Sequence, residues 1–213
     1  MAIRSKILSF ALIGTAALAG IAASLLWHHA APPVDLTTGS IIAPSRALPD
    51  FSLTDQHGQA YGSANLRGHW SMLFFGYTNC PDFCPTTLTT LAAMERRLRA
   101  VKGQAIPQVV FVSVDAKRDT PKQLAEYVPA FDPEFIGITA ADQASAEAFA
   151  RQLNVAVAIR PISDELYSVD HTAAIFVIDP EARLTAILTG PFTVAALQSD
   201  FQRIVAAGAA GRS

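Results

Sequence analysis

Residues 70–77, WSMLFFGY, are almost uninterruptedly apolar and lead straight into NCPDFCP, which holds both cysteines of the 213-residue chain. A strand without polar alternation must be covered on both faces, so this run belongs inside a sheet with helices on each side. The stretch that follows, TTLTTLAAMERRLRAV, sets Leu88, Leu91, Met94, Leu98 and Val101 at helical spacing, with Glu95, Arg96, Arg97 and Arg99 off that stripe. A buried strand therefore runs directly into a helix whose N-terminus carries two thiols.

The same alternation continues. QVVFVSVD (108–115) reads as a second buried strand. TPKQLAEYVPAF reads as a helix with Thr120 as N-cap and Pro121 in its first position. EFIGITA is a third strand, DQASAEAFARQL a helix capped by Asp142, and VAVAIRP a short strand. YSVDHTAAIFVI reads as one strand ending at Ile178, followed by a turn at 179–182, an antiparallel partner at 183–188 and a closing helix in TVAALQSDFQRIVAA. Ahead of all this, FSLTDQHGQAYG has the form of a hairpin turning at Gln56-His57-Gly58. The expected architecture is α/β: a thioredoxin-like fold, with a mixed sheet flanked by helices and an N-terminal hairpin extension.

The run ILSFALIGTAALAGIAASLLW, residues 7–27, has no charge over its whole length. At about 1.5 Å per residue it matches a hydrocarbon layer of roughly 30 Å. A cleaved signal peptide has a shorter apolar region, of about 7–15 residues, although the alanines at 22–23 leave cleavage open. Arg4 and Lys6 precede the run and the next basic residue is Arg46, which puts the N-terminus in the cytoplasm and the domain across the membrane. The expected organisation is a cytoplasmic N-terminus (1–6), one transmembrane helix (7–27), a tether with three prolines (28–47), the folded domain (48–207) and a short tail (208–213). No Arg- and Ser-rich transit segment precedes the anchor, so a bacterial inner membrane with the domain in the periplasm is expected ahead of a mitochondrial inner membrane. Thiols there can form disulfides. A net charge of −2 leaves no basic field for nucleic acid.

Cys80 and Cys84 are four apart and each precedes a proline. With Pro81 in the first helical position, Cys80 would be the cap and Cys84 one turn on, with Cβ atoms about 5–6 Å apart. Both sulfurs could then reach one ion at about 2.3 Å, whereas a disulfide needs Cβ atoms nearer 3.8 Å. The redox C-x-x-C pair of thioredoxin is one residue shorter. Helix N-terminal amides are expected to lower the thiol pKa. Two thiolates need a further ligand. His28 and His29 read as a juxtamembrane turn, His57 as a turn residue and His69 as a surface residue before the strand. His171 lies at the entry to TAAIFVID, where a thioredoxin-like sheet turns a proline toward the cysteine helix, and is the expected third ligand. Cys80, Cys84 and His171 make a soft three-coordinate set. Zinc would want a fourth ligand and an iron–sulfur cluster more thiolates, so copper fits best, as Cu(I), with Cu(II) tolerable.

GYTNCPDFCP, SVDAKRDTP and DHTAAIFVID together resemble the Sco/SenC family of copper chaperones for cytochrome c oxidase assembly, over residues 49–205. The resemblance implies one copper ion on Cys80, Cys84 and His171, loaded by an upstream copper donor. It also implies delivery to, or thiol reduction of, the binuclear copper site of oxidase subunit II. Asn79 departs from the family, which commonly has histidine there. Asp115 and Asp119 match its acidic pair, read either as support for the site or as an ordinary turn and cap. Tyr77 and Phe83 are expected to border the site. The competing function is a thiol–disulfide oxidoreductase that uses the cysteines without His171. A peroxiredoxin-like peroxidase expects threonine three residues before its cysteine, and Thr78 is two before Cys80. A plain structural disulfide is the remaining alternative.

Overall fold

The structure, a computed structural model, describes residues 34–163 and 166–210. The expected anchor at 7–27 lies outside them. Among the described residues, no helix is long and apolar enough to cross a membrane.

The apolar run becomes strand β4 (Ser71–Gly76), buried at every position. It pairs in parallel with β5 (Gln108–Ser113), which pairs in parallel with β6 (Ile136–Thr139), and antiparallel with β9 (Ile175–Ile178). Beyond β9 lies β10 (Arg183–Leu188), and beyond β6 the expected hairpin, β2 (Ser52–Asp55) with β3 (Ala60–Gly62). With β1 (Gly39–Ala47) on β10, the sheet has eight strands in the order β1-β10-β9-β4-β5-β6-β2-β3.

Alternation along β4 separates two cores. Met72 and Phe74 pack with Phe111, Ile175 and Val177 against α1 (Phe83–Arg99), α2 (Pro121–Tyr127) and α4 (Val194–Ala210), through Leu88, Leu91, Leu124, Leu197 and Phe201. Leu73 and Phe75 pack with Val110, Val112 and Phe176 against Ala146, Phe149 and Ala150 of α3 (Gln143–Gln152). Each such side chain contributes roughly 1.5–3 kcal/mol, so a polar residue in place of Met72, Leu73, Phe74 or Phe75 would weigh against one core or the other. The expected caps hold: Gln123 N–H donates to Thr120 Oγ1 at 3.2 Å and Ser145 N–H to Asp142 Oδ1 at 2.7 Å.

Several expectations fail, each for a physical reason. The outer part of the expected 28–47 tether is strand β1, paired antiparallel with β10. It is an edge strand, mostly exposed, with a register irregularity between Ile41 and Arg46 that spans Pro44. It therefore shows neither an apolar run nor clean alternation. The helix from Thr120 stops at Tyr127 and tightens to a 3₁₀ turn at Val128–Ala130. Pro129 there has no N–H to continue the ladder. The single strand expected to end at Ile178 is two. Among the described residues, strand β8 (Tyr167–His171) pairs only with β7 (Val157–Pro161), as a separate two-stranded sheet. The break comes at Thr172, whose N–H donates to Ala156 O (3.0 Å) while its Oγ1 accepts from Ala156 N–H (2.9 Å). On α1, Val101 lies past the helix end and is 50% exposed, while Glu95 is 1% exposed. Arg99, bonded to Glu95 Oε2 at 2.8 Å, compensates that burial.

Candidate metal centre

Strand β4 ends at Gly76, and Tyr77 leads into a turn at Thr78-Asn79 closed by Cys80 N–H donating to Tyr77 O at 3.2 Å. Helix α1 begins only at Phe83, with Asp82 as the cap residue. Cys80 is thus on non-helical backbone, not at the cap, and only Cys84 is in the first turn. Asp82 makes no side-chain cap bond. Instead Cys84 N–H, one of the unpaired donors of a helix start, meets Cys80 Sγ at 3.4 Å. One sulfur therefore sits at the amide end of the helix that carries the other.

Cys84 is fully buried. Its sulfur lies over Gly76, where an added Cβ would stand 2.9 Å from Sγ and 2.6 Å from Phe111 Cε2. Only glycine leaves that room, a requirement that the apolar run did not announce. His171, the last residue of β8, brings Nε2 to 3.7 Å from Cys84 Sγ. Its Nδ1 is 3.2 Å from Thr172 O. A carbonyl can only accept, so Nδ1 carries the proton and Nε2 presents its lone pair toward the sulfur. Sulfur at about 2.3 Å and nitrogen at about 2.0 Å from one ion, at a trigonal angle, would be about 3.7 Å apart. The Cys84–His171 pair already has that spacing. Among the described residues no three His, Cys, Asp or Glu side chains stand together at full metal-binding spacing. Cys80, the remaining thiol beside the pair, is on loop backbone outside the helix ladder.

The surroundings favour neutral groups. Burial pushes the Cys84 thiol well up, against a bond from the Tyr77 backbone and with the Cys80 sulfur adding to the rise. The expected lowering by helix amides does not prevail at Cys84, because desolvation is larger. Burial likewise holds His171 below its ordinary range, with the Thr172 carbonyl and Asp170 opposing. The rings of Tyr77 and Phe74 meet the imidazole edge-on at 6.2 and 6.4 Å. At the rim, Phe83 is 39% exposed and lies 6.2 Å from Phe192.

The acidic pair divides in two. Asp119, fully buried, accepts from Thr78 N–H (3.0 Å), Thr78 Oγ1 (2.7 Å) and Ser113 Oγ (2.7 Å), fastening the cysteine loop to the end of β5. Asp115 bonds Arg118 and, at 2.8 Å, the Tyr167 hydroxyl. Both carboxylates support the site's surroundings; neither reaches the sulfurs. Asn79 is exposed, its side chain 3.1 Å from Thr78 Oγ1. His57 is exposed at the β2–β3 turn. His69 lies at the opposite end of β4, about 20 Å from the cysteines by strand length. It bonds Gln108 Oε1 at 3.0 Å in a cavity of about 250 Å³ shared with Glu95, Arg99 and Glu134.

The SCO1/SenC family profile matches residues 40–206. The mouse protein named SCO2 homolog, mitochondrial, is 38% identical over 137 residues, covering 64% of this chain and 53% of that protein. The match thus spans about half the length of such a relative. The crystal structure of Arabidopsis thaliana ScoI with copper bound is similar at 32% identity and a TM-score of 0.70, over 74% of this chain and 96% of that one. The structure of Bradyrhizobium japonicum ScoI with copper bound has 32% identity and a TM-score of 0.66, over 74% of this chain and 99% of that one.

Proposed function

The chain belongs to the SCO1/SenC family, and from that premise we propose that it is a membrane-tethered copper chaperone serving cytochrome c oxidase. Cys80, Cys84 and His171 hold one Cu(I), which is passed to the binuclear copper site of oxidase subunit II. The observation that carries this reading is the approach of His171 Nε2 to Cys84 Sγ at 3.7 Å, with the lone pair aimed at the sulfur. The two ScoI structures with copper bound support the choice of metal.

In this reading buried Cys84 and half-buried His171 are the fixed part of the site and Cys80 the adjustable part. Cu(I) displaces the thiol protons as it binds, because only thiolate is a ligand. The aromatic wall of Phe74 and Tyr77 keeps water from the buried side. Release begins at half-buried Cys80, the sulfur that an incoming ligand can reach from solvent. The apolar run at 7–27 serves as the anchor in a bacterial inner membrane and holds the domain in the periplasm, where an upstream donor loads it.

A second reading rests on the unequal exposure of two free cysteines, Cys80 half-buried and Cys84 buried. The Cys80 thiolate attacks a partner disulfide and releases one partner thiol. Cys84 then attacks the Cys80 sulfur, releases the second thiol and leaves a Cys80–Cys84 disulfide. The partner is reduced by two electrons and this chain oxidised by two.

Anaerobic copper titration of the reduced protein separates the two. The chaperone reading requires one Cu(I) per chain in the wild type and its loss in Cys80→Ser, Cys84→Ser and His171→Ala alike. Stoichiometric binding in the His171 variant, with oxidase assembly intact, would instead favour the reductase.

A further inference from the structure

The hairpin β7–β8 carries His171 yet belongs to no larger sheet. A two-stranded ribbon alone is marginally stable in water, so what ties it down decides where His171 stands. At the His171 end the ties to the rest of the domain are the buried side chain of Val169 and the hydrogen bond between its backbone and Tyr77, while the two Thr172–Ala156 bonds only lengthen the ribbon's own ladder. At the other end a closed cluster forms around Tyr167. Its hydroxyl donates to Asp115 Oδ1 at 2.8 Å, and its carbonyl accepts from Arg118 Nη1 at 3.0 Å. The Arg118 guanidinium lies 3.8 Å over its ring. Arg118 Nε closes the cycle by bonding the second oxygen of Asp115, which is itself buried. The guanidinium also lies 5.6 Å from the ring of Tyr77, which meets the His171 ring at right angles.

We propose that Arg118 is a positioning residue for His171. With Asp115 and Tyr167 it latches the hairpin to the end of β5 and so sets the distance from Nε2 to the sulfurs. This rests on the reading of His171 as a copper ligand. The latch needs arginine in particular. One planar fork donates to a carboxylate and a carbonyl while its face stacks on a phenol ring, and a lysine ammonium cannot do all three. Asp115 alone cannot serve, because it reaches only the Tyr167 hydroxyl; the hairpin backbone is held through Arg118.

Hydrogen exchange on the full-length, copper-free chain tests the latch. In Arg118→Ala, amides of residues 157–160 and 167–171 should exchange about tenfold faster or more, while those of β4 and β5 keep their protection. Tyr167→Phe, which keeps the stacked ring, should give a smaller rise in the same segment. Unchanged hairpin exchange in Arg118→Ala overturns the proposal, and so does a uniform rise across the sheet in both variants. Cu(I) affinity supplies the second arm. Arg118→Ala should weaken it about tenfold, as loss of an outer-shell partner does, with Arg118→Lys no better than a partial rescue. In a His171→Ala background, Arg118→Ala should have no further effect. A loss that persists undiminished there means that Arg118 does not act through His171, and the proposal fails. If His171→Ala alone leaves affinity untouched, the three-ligand reading fails on its own, while the exchange rates still decide whether Arg118 latches the hairpin.

Discussion

Cys84 Sγ and His171 Nε2 stand 3.7 Å apart although 87 positions separate them in the chain. The thiol is on the first turn of α1 and the imidazole on the last residue of β8. Neither element brings the two donors together alone; they meet over the end of β4.

Copper uptake should release protons. Because burial pushes the Cys84 thiol up, the thiol is protonated near neutrality and Cu(I) must displace that proton. Apparent affinity should therefore rise with pH, and weakly buffered titrations should show acidification on each copper addition. Proton-neutral binding would mean that the thiols are not both ligands.

Gly76→Ala should damage the site from beneath. The added methyl would stand 2.9 Å from Cys84 Sγ and 2.6 Å from Phe111 Cε2. Overpacking of this kind costs about 1–3 kcal/mol. The urea midpoint should fall by that measure, and Cu(I) affinity should fall with it, since the sulfur has to shift.

Asp119→Ala leaves the Thr78 N–H and the Ser113 hydroxyl without their acceptor, and the Thr78 hydroxyl with Asn79 Oδ1 alone. Each orphaned group costs about 1–3 kcal/mol unless water replaces the carboxylate. A loss of at least about 2 kcal/mol, with faster exchange at residues 77–80, is the expected outcome in denaturant and exchange measurements. A loss within about 0.5 kcal/mol would reduce Asp119 to an ordinary turn residue.

Glu95 supplies a pH signature unrelated to copper. Burial raises its carboxyl from 4.5 to about 7, partly opposed by the hydrogen bond and charge of Arg99. The folded state then holds a proton that the unfolded chain has already given up, so the Glu95 contribution to stability is fully present below pH 4.5 and is lost as pH rises through 7. Glu95→Gln removes the charge and keeps an acceptor for Arg99. Its stability relative to wild type should improve by on the order of 2 kcal/mol between pH 5 and pH 8. Urea midpoints at the two pH values check this, and a constant difference would contradict it.

Much of the architecture was legible in local pattern. An unbroken apolar run can only be an inner strand, and the helices on both sides followed from 3.6-residue spacing and from the caps at Thr120 and Asp142. The cysteine pair and His171 could be singled out because a thioredoxin-like order of elements carries those positions to one end of the sheet. Other features left no local trace. Strand β1 is an exposed edge interrupted by Pro44, so its partner in β10 is what makes it a strand. The break at Thr172 depends on two bonds to Ala156, and the burial of Glu95 on Arg99.

What the residue order determined, then, was the succession of strands and helices, the family motifs and the identity of the candidate donor atoms. Those depend on neighbours two to four positions away. The tertiary structure alone decided that Cys80 lies outside the helix and that Cys84 is held protonated. It also decided that Asp119 bonds the cysteine loop and that Arg118 bonds the hairpin ending at His171. Each of those depends on desolvation and hydrogen bonding by groups dozens of residues distant, which no local periodicity records.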